Sequence, residues 1–341
     1  MRSPFFALPA VLLAALASCS SGPDTLPFGT GGSTTSSGTA GTGGAGASGG
    51  APTTGTGAGG AATTSDTTPP MTNNGFPDHW PDGLSCGDEP DVTVWAYDDD
   101  TFILRQSLCS NFEGPFLYLL FGEDKVFLQD TGTGDVNVAQ AVSGVIDDWL
   151  AKKGKSSIEL VVTHSHSHGD HVGGDSQFNG LANTTVVGTS ITAIQTFFGI
   201  YAWPTQLVTF ELGGRTLDIL PIPGHQGQHI AVYDKSRGLL LTGDTLYPGR
   251  LYINQWDTYK ASIQRMVDFV SSPDHPVEWV LGTHIEMTTT PGQDFPFGAD
   301  KHPDEHPLQL TKDTLLELHQ ALMGLPGPTN QVHDDFIIYP L

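Results

Sequence analysis

Basic residues are scarce in this chain of 341 residues: 14 lysines and arginines stand against 37 aspartates and glutamates, a formal net charge of −23. Nucleic-acid binding needs a basic face to neutralise phosphate, so no nucleic-acid partner is expected. The acidic surplus suits solubility outside the cytoplasm. Cysteine is nearly missing too, with three in all. Cys86 and Cys109 stand away from every histidine motif, and neither a cysteine nor a serine nucleophile is expected. From Ser20 to about Gly75 there are almost no large apolar residues, only runs of Gly, Ser, Thr, Ala and Pro. Such a segment cannot offset its ordering entropy and reads as a flexible tether, and its glycines are compositional rather than a phosphate loop. The roughly 260 residues that remain suffice for one large domain over 76–341, with a C-terminal extension from about 291.

Long apolar runs are limited to the start. Residues 1–19 hold Arg2 and an apolar stretch from Phe5 to Ala17, too short for a membrane span and right for an export signal. The stretch ends Leu16-Ala17-Ser18-Cys19, which resembles a bacterial lipobox with Cys19 as the lipidated residue. A plain secretory signal with a chance cysteine is the alternative. Ser20 stands where lipoproteins retained at the inner membrane carry Asp. The expectation is an exported lipoprotein of the cell envelope, at the outer membrane, attached only through its lipid. Export would let Cys86 and Cys109 pair, closing a loop of about 24 residues worth roughly 3 kcal/mol in the chain-entropy model; two free thiols are the other reading.

Against these absences stands one concentration. Residues 161–174 read VVTHSHSHGDHVGG, so His164, His166, His168 and His171 share one short loop with Asp170. Imidazole nitrogens and a carboxylate at this density make ligands for one or two divalent metals. An apolar run, Ile158–Val162, delivers the loop as a strand would. The same arrangement recurs at Pro223-Gly224-His225, at Thr242-Gly243-Asp244-Thr245 and at Gly282-Thr283-His284. In each, a buried-looking strand ends beside a Gly or Thr suited to a turn. Strands are expected near 92–97, 101–106, 116–121, 126–129, 185–188, 206–210, 216–222, 229–233, 238–242 and 277–281. Helices are expected over 135–153, 190–199, 258–270 and 311–323. This order suggests two sheets packed face to face and flanked by helices.

These motifs, with Asp130-Thr131-Gly132 ahead of them, resemble the metallo-β-lactamase-fold hydrolases over about residues 92–290. The resemblance implies an α/β fold, an αββα sandwich of two mixed β-sheets flanked by helices, with the site at one edge of the paired sheets. The run His-Ser-His-Ser-His allows two registers. Starting at His166 keeps the Asp-His pair at 170 and 171 and the glycines that follow. The resemblance then implies that His166, His168 and His225 hold one metal, that Asp170, His171 and His284 hold a second, and that Asp244 bridges both. His164 becomes a supporting residue or a strand-end residue.

The implied cofactors are two divalent ions, zinc by default, with iron or manganese also suited to nitrogen and oxygen donors. The implied chemistry is attack by a metal-bridging hydroxide, with Asp170 orienting the nucleophile or moving its proton. An aspartate at 244 places the chain nearer the hydroxyacylglutathione-hydrolase-like branches than the β-lactamase branches. The expected substrate is a small ester, thioester or lactone; a β-lactam is the alternative. A surface lipoprotein that binds a metal or ligand without turnover is the reading of another class. Further pocket candidates are Asp130, His229, Tyr247 and Arg250; for the last two a structural role is the first reading, and contact with a substrate oxyanion or carboxylate is the alternative. Phe197, Tyr201 and Trp203 could form an apolar wall or core. His302 and His306 are expected on a loop that folds back over the pocket rather than in a second metal site, since prolines interrupt them.

Overall fold

The computed structural model describes residues 75–341. The export signal over 1–19, the lipidation at Cys19 and all but the last residue of the tether lie outside the described residues. The elements are β1 (Val92–Asp98), β2 (Thr101–Gln106), β3 (Phe116–Phe121), β4 (Lys125–Gln129), α1 (Val138–Lys153), β5 (Glu159–Thr163), α2 (Gly169–Val172), α3 (Asp175–Phe178), β6 (Thr184–Val186), α4 (Ile191–Phe198), β7 (Val208–Glu211), β8 (Thr216–Pro221), β9 (Ile230–Asp234), β10 (Leu239–Gly243), β11 (Arg250–Ile253), α5 (Trp256–Val270), β12 (Trp279–Gly282), β13 (Gln309–Leu310), α6 (Lys312–Gly324), β14 (Gln331–Val332) and β15 (Ile337–Pro340).

Two six-stranded mixed sheets result, ordered β1-β2-β3-β4-β5-β6 and β13-β12-β10-β9-β8-β7. Strand alternation explains why they stack. In β3, Phe116, Tyr118 and Leu120 point to one apolar layer, which also takes Leu217, Ile219, Ile230, Val232, Leu239 and Leu241 from the second sheet. The intervening Leu117, Leu119 and Phe121 point the other way, to Val138, Val142 and Trp149 of α1. The second sheet likewise turns Ala231, Tyr233 and Leu240 toward Ile263 and Met266 of α5 and Leu315 and Leu318 of α6. Strands apolar on both faces are what a sheet covered on both sides requires, and the layering is helix, sheet, sheet, helix.

Differences from the sequence reading sit at element ends and in one added sheet. Helix α1 begins at Val138 rather than 135 because Asn137 caps it, its side chain accepting from the Gln140 N–H; Gly154, at φ 67°, ends it. A third sheet, β11-β15-β14, was not expected. In it the C-terminal strand β15 pairs parallel to β11, Arg250 opposite Ile337. Cys86 and Cys109 form a disulfide. Gly83-Leu84-Ser85-Cys86-Gly87 spells the pattern of a serine nucleophile elbow, but it lies in an exposed turn with no flanking strand or helix, the wrong setting for one.

Candidate metal centre

Every candidate ligand leaves the end of a strand at the same edge of the sandwich. Strand β5 runs into the histidine loop, β8 into Pro223-Gly224-His225, β10 into Asp244, and β12 into Thr283 and His284. Register does the placing. Gly243 of β10 is opposite Gly282 of β12, so Asp244 emerges beside Thr283, whose hydroxyl donates to Asp244 Oδ1. Two glycines are required here. A Cβ on Gly243 (φ 53°) would lie 2.5 Å from His229 Nε2, and one on Gly224 (φ 144°) would lie 2.4 Å from the Tyr259 backbone.

The side chains gather into two groups that share one member. His166, His168, His225 and Asp244 form the first; Asp170, His171, His284 and Asp244 form the second. Asp244 divides its oxygens between them. Its Oδ2 lies 3.4 Å from His166 Nε2 and 3.5 Å from His225 Nε2. Its Oδ1 lies 3.4 Å from both His171 Nε2 and His284 Nε2. Asp170 Oδ2 closes the second group, 2.9 Å from His171 Nε2 and 3.2 Å from His284 Nε2.

The outward nitrogens are tied down. His225 Nδ1 meets the Tyr252 carbonyl at 2.8 Å, and His284 Nδ1 the Glu113 carbonyl at 2.9 Å. His171 Nδ1 meets Asp130 Oδ2 at 3.0 Å, and His166 Nδ1 meets Ser165 Oγ at 3.0 Å. Each tie leaves Nε2 as the inward lone pair, the arrangement that supports metal-binding imidazoles. Asp130 does more than hold His171. It sits at φ 70°, fully buried, and accepts from the Ser165 N–H at 2.7 Å and from the Ser165 hydroxyl. Holding a non-glycine residue there costs conformational energy, which these contacts offset.

Electrostatics point the same way. Burial opposes ionisation of Asp170 and Asp244, yet the surrounding imidazoles hold both carboxyls well below the usual range. Burial lowers His166, His168 and His225, keeping them as neutral donors. His171 and His284 are pushed well up despite burial, His171 by Asp170, Asp244 and Asp130, and His284 by Asp244 and Asp170. One buried and one partly buried carboxylate thus call for positive charge. A cation fits this donor set on two further observations. His166 Nε2 and His225 Nε2 converge on His168 Nδ1 at 2.9 and 3.0 Å. His171 Nε2, buried and 2.9 Å from Asp170 Oδ2, makes no well-aligned hydrogen bond there.

The remaining candidates divide. His164 turns away from both groups and meets Asp175 Oδ1 at 2.8 Å. His229 is buried, stacks on His166 at 4.6 Å, and neither of its ring nitrogens has a hydrogen-bond partner among the described residues. Tyr247 and Arg250, open in the sequence between a structural role and substrate contact, are both tied within the protein. Tyr247 is 1% exposed and donates to the Arg250 carbonyl, its ring edge set against His284. The Arg250 guanidinium is committed to Asp294 at 2.7 Å, to Glu286 and to the Phe295 carbonyl. Phe197 and Trp203 pack against the inter-sheet core, whereas Tyr201 is exposed. His302 and His306 do not pair. His302 binds Glu305 and the Ala299 carbonyl and borders a slot beside His284; His306 binds the Pro307 carbonyl and Asp335. Sequence reasoning missed Ser165 as the link between Asp130 and the loop, and Thr283 as the partner of Asp244; both adjoin ligands in the chain.

Residues 111–279 match the family described as the metallo-beta-lactamase superfamily. The human protein named acyl-coenzyme A thioesterase MBLAC2 is 24% identical over 233 residues, 60% of this chain and 81% of that one. The hydroxyacylglutathione hydrolase of Methylococcus capsulatus is 30% identical over 143 residues, 41% of this chain and 55% of its own, so the match spans about half of that enzyme. Among solved structures, a metallo-beta-lactamase from Pontibacter korlensis aligns at TM-score 0.47 and 17% identity, over 69% of this chain and 100% of that one. Residues 111–279 are a metallo-beta-lactamase superfamily domain, and the protein is a hydrolase.

Proposed function

We propose that the two side-chain groups hold two divalent ions and that the protein hydrolyses a carboxylic ester, thioester or lactone. The single observation that carries this reading is Asp244, whose two oxygens face different ligand groups. Zinc is the default for five imidazoles and two carboxylates without thiolate. His166, His168 and His225 would hold one ion, Asp170, His171 and His284 the other, with Asp244 between them. Bound there, the ions would supply Lewis acidity and a water acidified toward neutral pH.

The chain's own residues do the rest. Asp130, Ser165, Thr283 and the carbonyls of Tyr252 and Glu113 fix the ligands before substrate arrives, so little reorganisation is needed during reaction. Asp170 is only partly buried and reaches the site from the mouth, where it can orient water or hold its proton. His168 is the exposed ligand and marks the side open to substrate. The thioesterase and hydroxyacylglutathione hydrolase names of the relatives support a carbonyl ester or thioester. Attachment to the envelope through lipid on Cys19 belongs to the same proposal and rests on residues 1–20.

The test is metal analysis joined to a substrate panel: p-nitrophenyl esters, thioesters, lactones, nitrocefin and bis-p-nitrophenyl phosphate. Two equivalents of metal and turnover of an ester, thioester or lactone are expected. Turnover of nitrocefin alone, or a metal-loaded protein inert to the whole panel, would overturn the proposal.

A further inference from the structure

Two phenylalanines stand at the rim of the site on parts of the chain far apart in sequence. Phe112 is 37% exposed and Phe297 is 75% exposed. Their rings meet edge to face at 5.8 Å, and both line a slot whose wall includes His284. An isolated exposed phenylalanine needs no explanation. A pair held together over a slot walled by one candidate ligand, His284, does.

The mounting is rigid. Phe297 sits on a strap from Glu286 to His306 that is bridged to itself at Met287–Asp294 and Thr288–Glu305. Arg250 grips Asp294 at 2.7 Å, and the Phe295 ring stacks on His302 at 4.2 Å. Arg105 of the first sheet holds Glu305 in a two-pronged buried ion pair, one prong at 2.6 Å. Phe112 rides on the segment between β2 and β3, whose Glu113 carbonyl orients His284 and whose Cys109 is in the disulfide. An exposed aromatic presented by a fixed strap has already lost its freedom, so burying it under a ligand costs little further entropy.

Charge narrows the ligand. Glu113 and Glu286 line the same slot. Arg250, the one Lys or Arg among the described residues lining it, is paired with Glu286 and Asp294. Glu113 has no ion-pair partner among the described residues. Beyond the candidate ligand His284, a polyanionic group would meet an unpaired carboxylate and, among the described residues, no unpaired Lys or Arg in the slot, on a chain of net charge −23.

Resting on the proposed hydrolysis, we propose that Phe112 and Phe297 grip the apolar acyl or aryl part of an uncharged ester, thioester or lactone, and that polyanionic carriers such as coenzyme A thioesters are poor substrates. Burying a short alkyl chain against the two rings is worth about tenfold in kcat/KM.

Two measurements test this. The first compares metal-loaded protein on p-nitrophenyl acetate and hexanoate, and on hexanoyl thioesters of N-acetylcysteamine and coenzyme A. The hexanoate-to-acetate ratio is expected to fall about tenfold in Phe297→Ala and Phe112→Ala and to survive in Phe297→Leu. The N-acetylcysteamine thioester is expected to outpace the coenzyme A thioester at least tenfold. The second is calorimetric binding of p-nitrophenyl hexyl ether, which cannot be hydrolysed, to wild type and Phe297→Ala. Binding weakened about tenfold by the substitution supports the grip even if no ester is turned over, an outcome that would remove only the hydrolase reading. Unchanged ether affinity in Phe297→Ala, or an unchanged chain-length ratio in both alanine variants, overturns the grip, and preference for the coenzyme A thioester overturns the charge argument.

Discussion

At the scale of single residues, the informative ones are those that touch no substrate. Asp130 is buried, strained and shared between Ser165 and His171. Asp130→Asn keeps the shape but gives up charge and one acceptor, so His171 loses the partner that fixes its ring. Metal affinity should fall 10–100-fold, read by competition with a chromophoric chelator; wild-type affinity would show that Asp130 serves only the turn. The histidine run makes a second residue-scale prediction. His164 faces Asp175 while His166 lies within both Asp244 and His168 reach. His166→Ala should therefore strip far more metal than His164→Ala on elemental analysis, and the reverse order would reassign the register. Adjacency in sequence did not decide between structure and substrate contact for Tyr247 and Arg250. They follow Asp244 by a few positions, but the chain turns beneath the site there. Their partners, Glu286 and Asp294, come from a strap that no local pattern connects to them.

At the scale of elements, what was legible is what periodicity and punctuation encode. Strands β2 to β5, β8 to β10 and β12 are runs of mostly buried residues, and the ligand-bearing turns follow four of them, β5, β8, β10 and β12. The third sheet was not legible. Strand β14 has two residues, and β11 follows the aspartate turn without a break; its pairing to β15 is a long-range fact. Also invisible was Arg215. It sits just before β8, at the end of the sandwich opposite the ligands, given the direction in which β8 runs toward His225. Its guanidinium donates to Asp234 at 2.5 Å, to the Thr101 hydroxyl at 2.9 Å and to the Asp100 and Phe121 carbonyls. It thereby rivets the first sheet to the second. Removing one partner of a buried pair strands the other, so Arg215→Met should destabilise by about 3–5 kcal/mol. Denaturant unfolding checks the loss, and metal content per folded protein should stay unchanged because the rivet is remote from the site. A variant as stable as wild type would mean that water reaches Asp234.

At the scale of the whole molecule, the disulfide links the N-terminal described segment to the rim of the site. Cys86 and Cys109 are both exposed, so a dithiol can reach them without unfolding the protein. The cross-link spans 23 positions, and in the chain-entropy model its loss frees the unfolded chain by about 3 kcal/mol. The segment it pins also carries Glu113, whose carbonyl holds His284, and Phe116, whose N–H donates to the Thr283 carbonyl at 2.8 Å. Reduction therefore should lower the urea midpoint and, separately, weaken metal binding through His284 at urea concentrations where the protein is still folded. The two effects are distinguishable, because a purely unfolded-state effect would shift the midpoint and leave native metal affinity untouched. Cys86→Ala/Cys109→Ala should reproduce both in the absence of reductant. An unchanged midpoint in that double variant would mean that the segment around residue 109 is held by Arg105, Glu305 and the Ser107 turn alone.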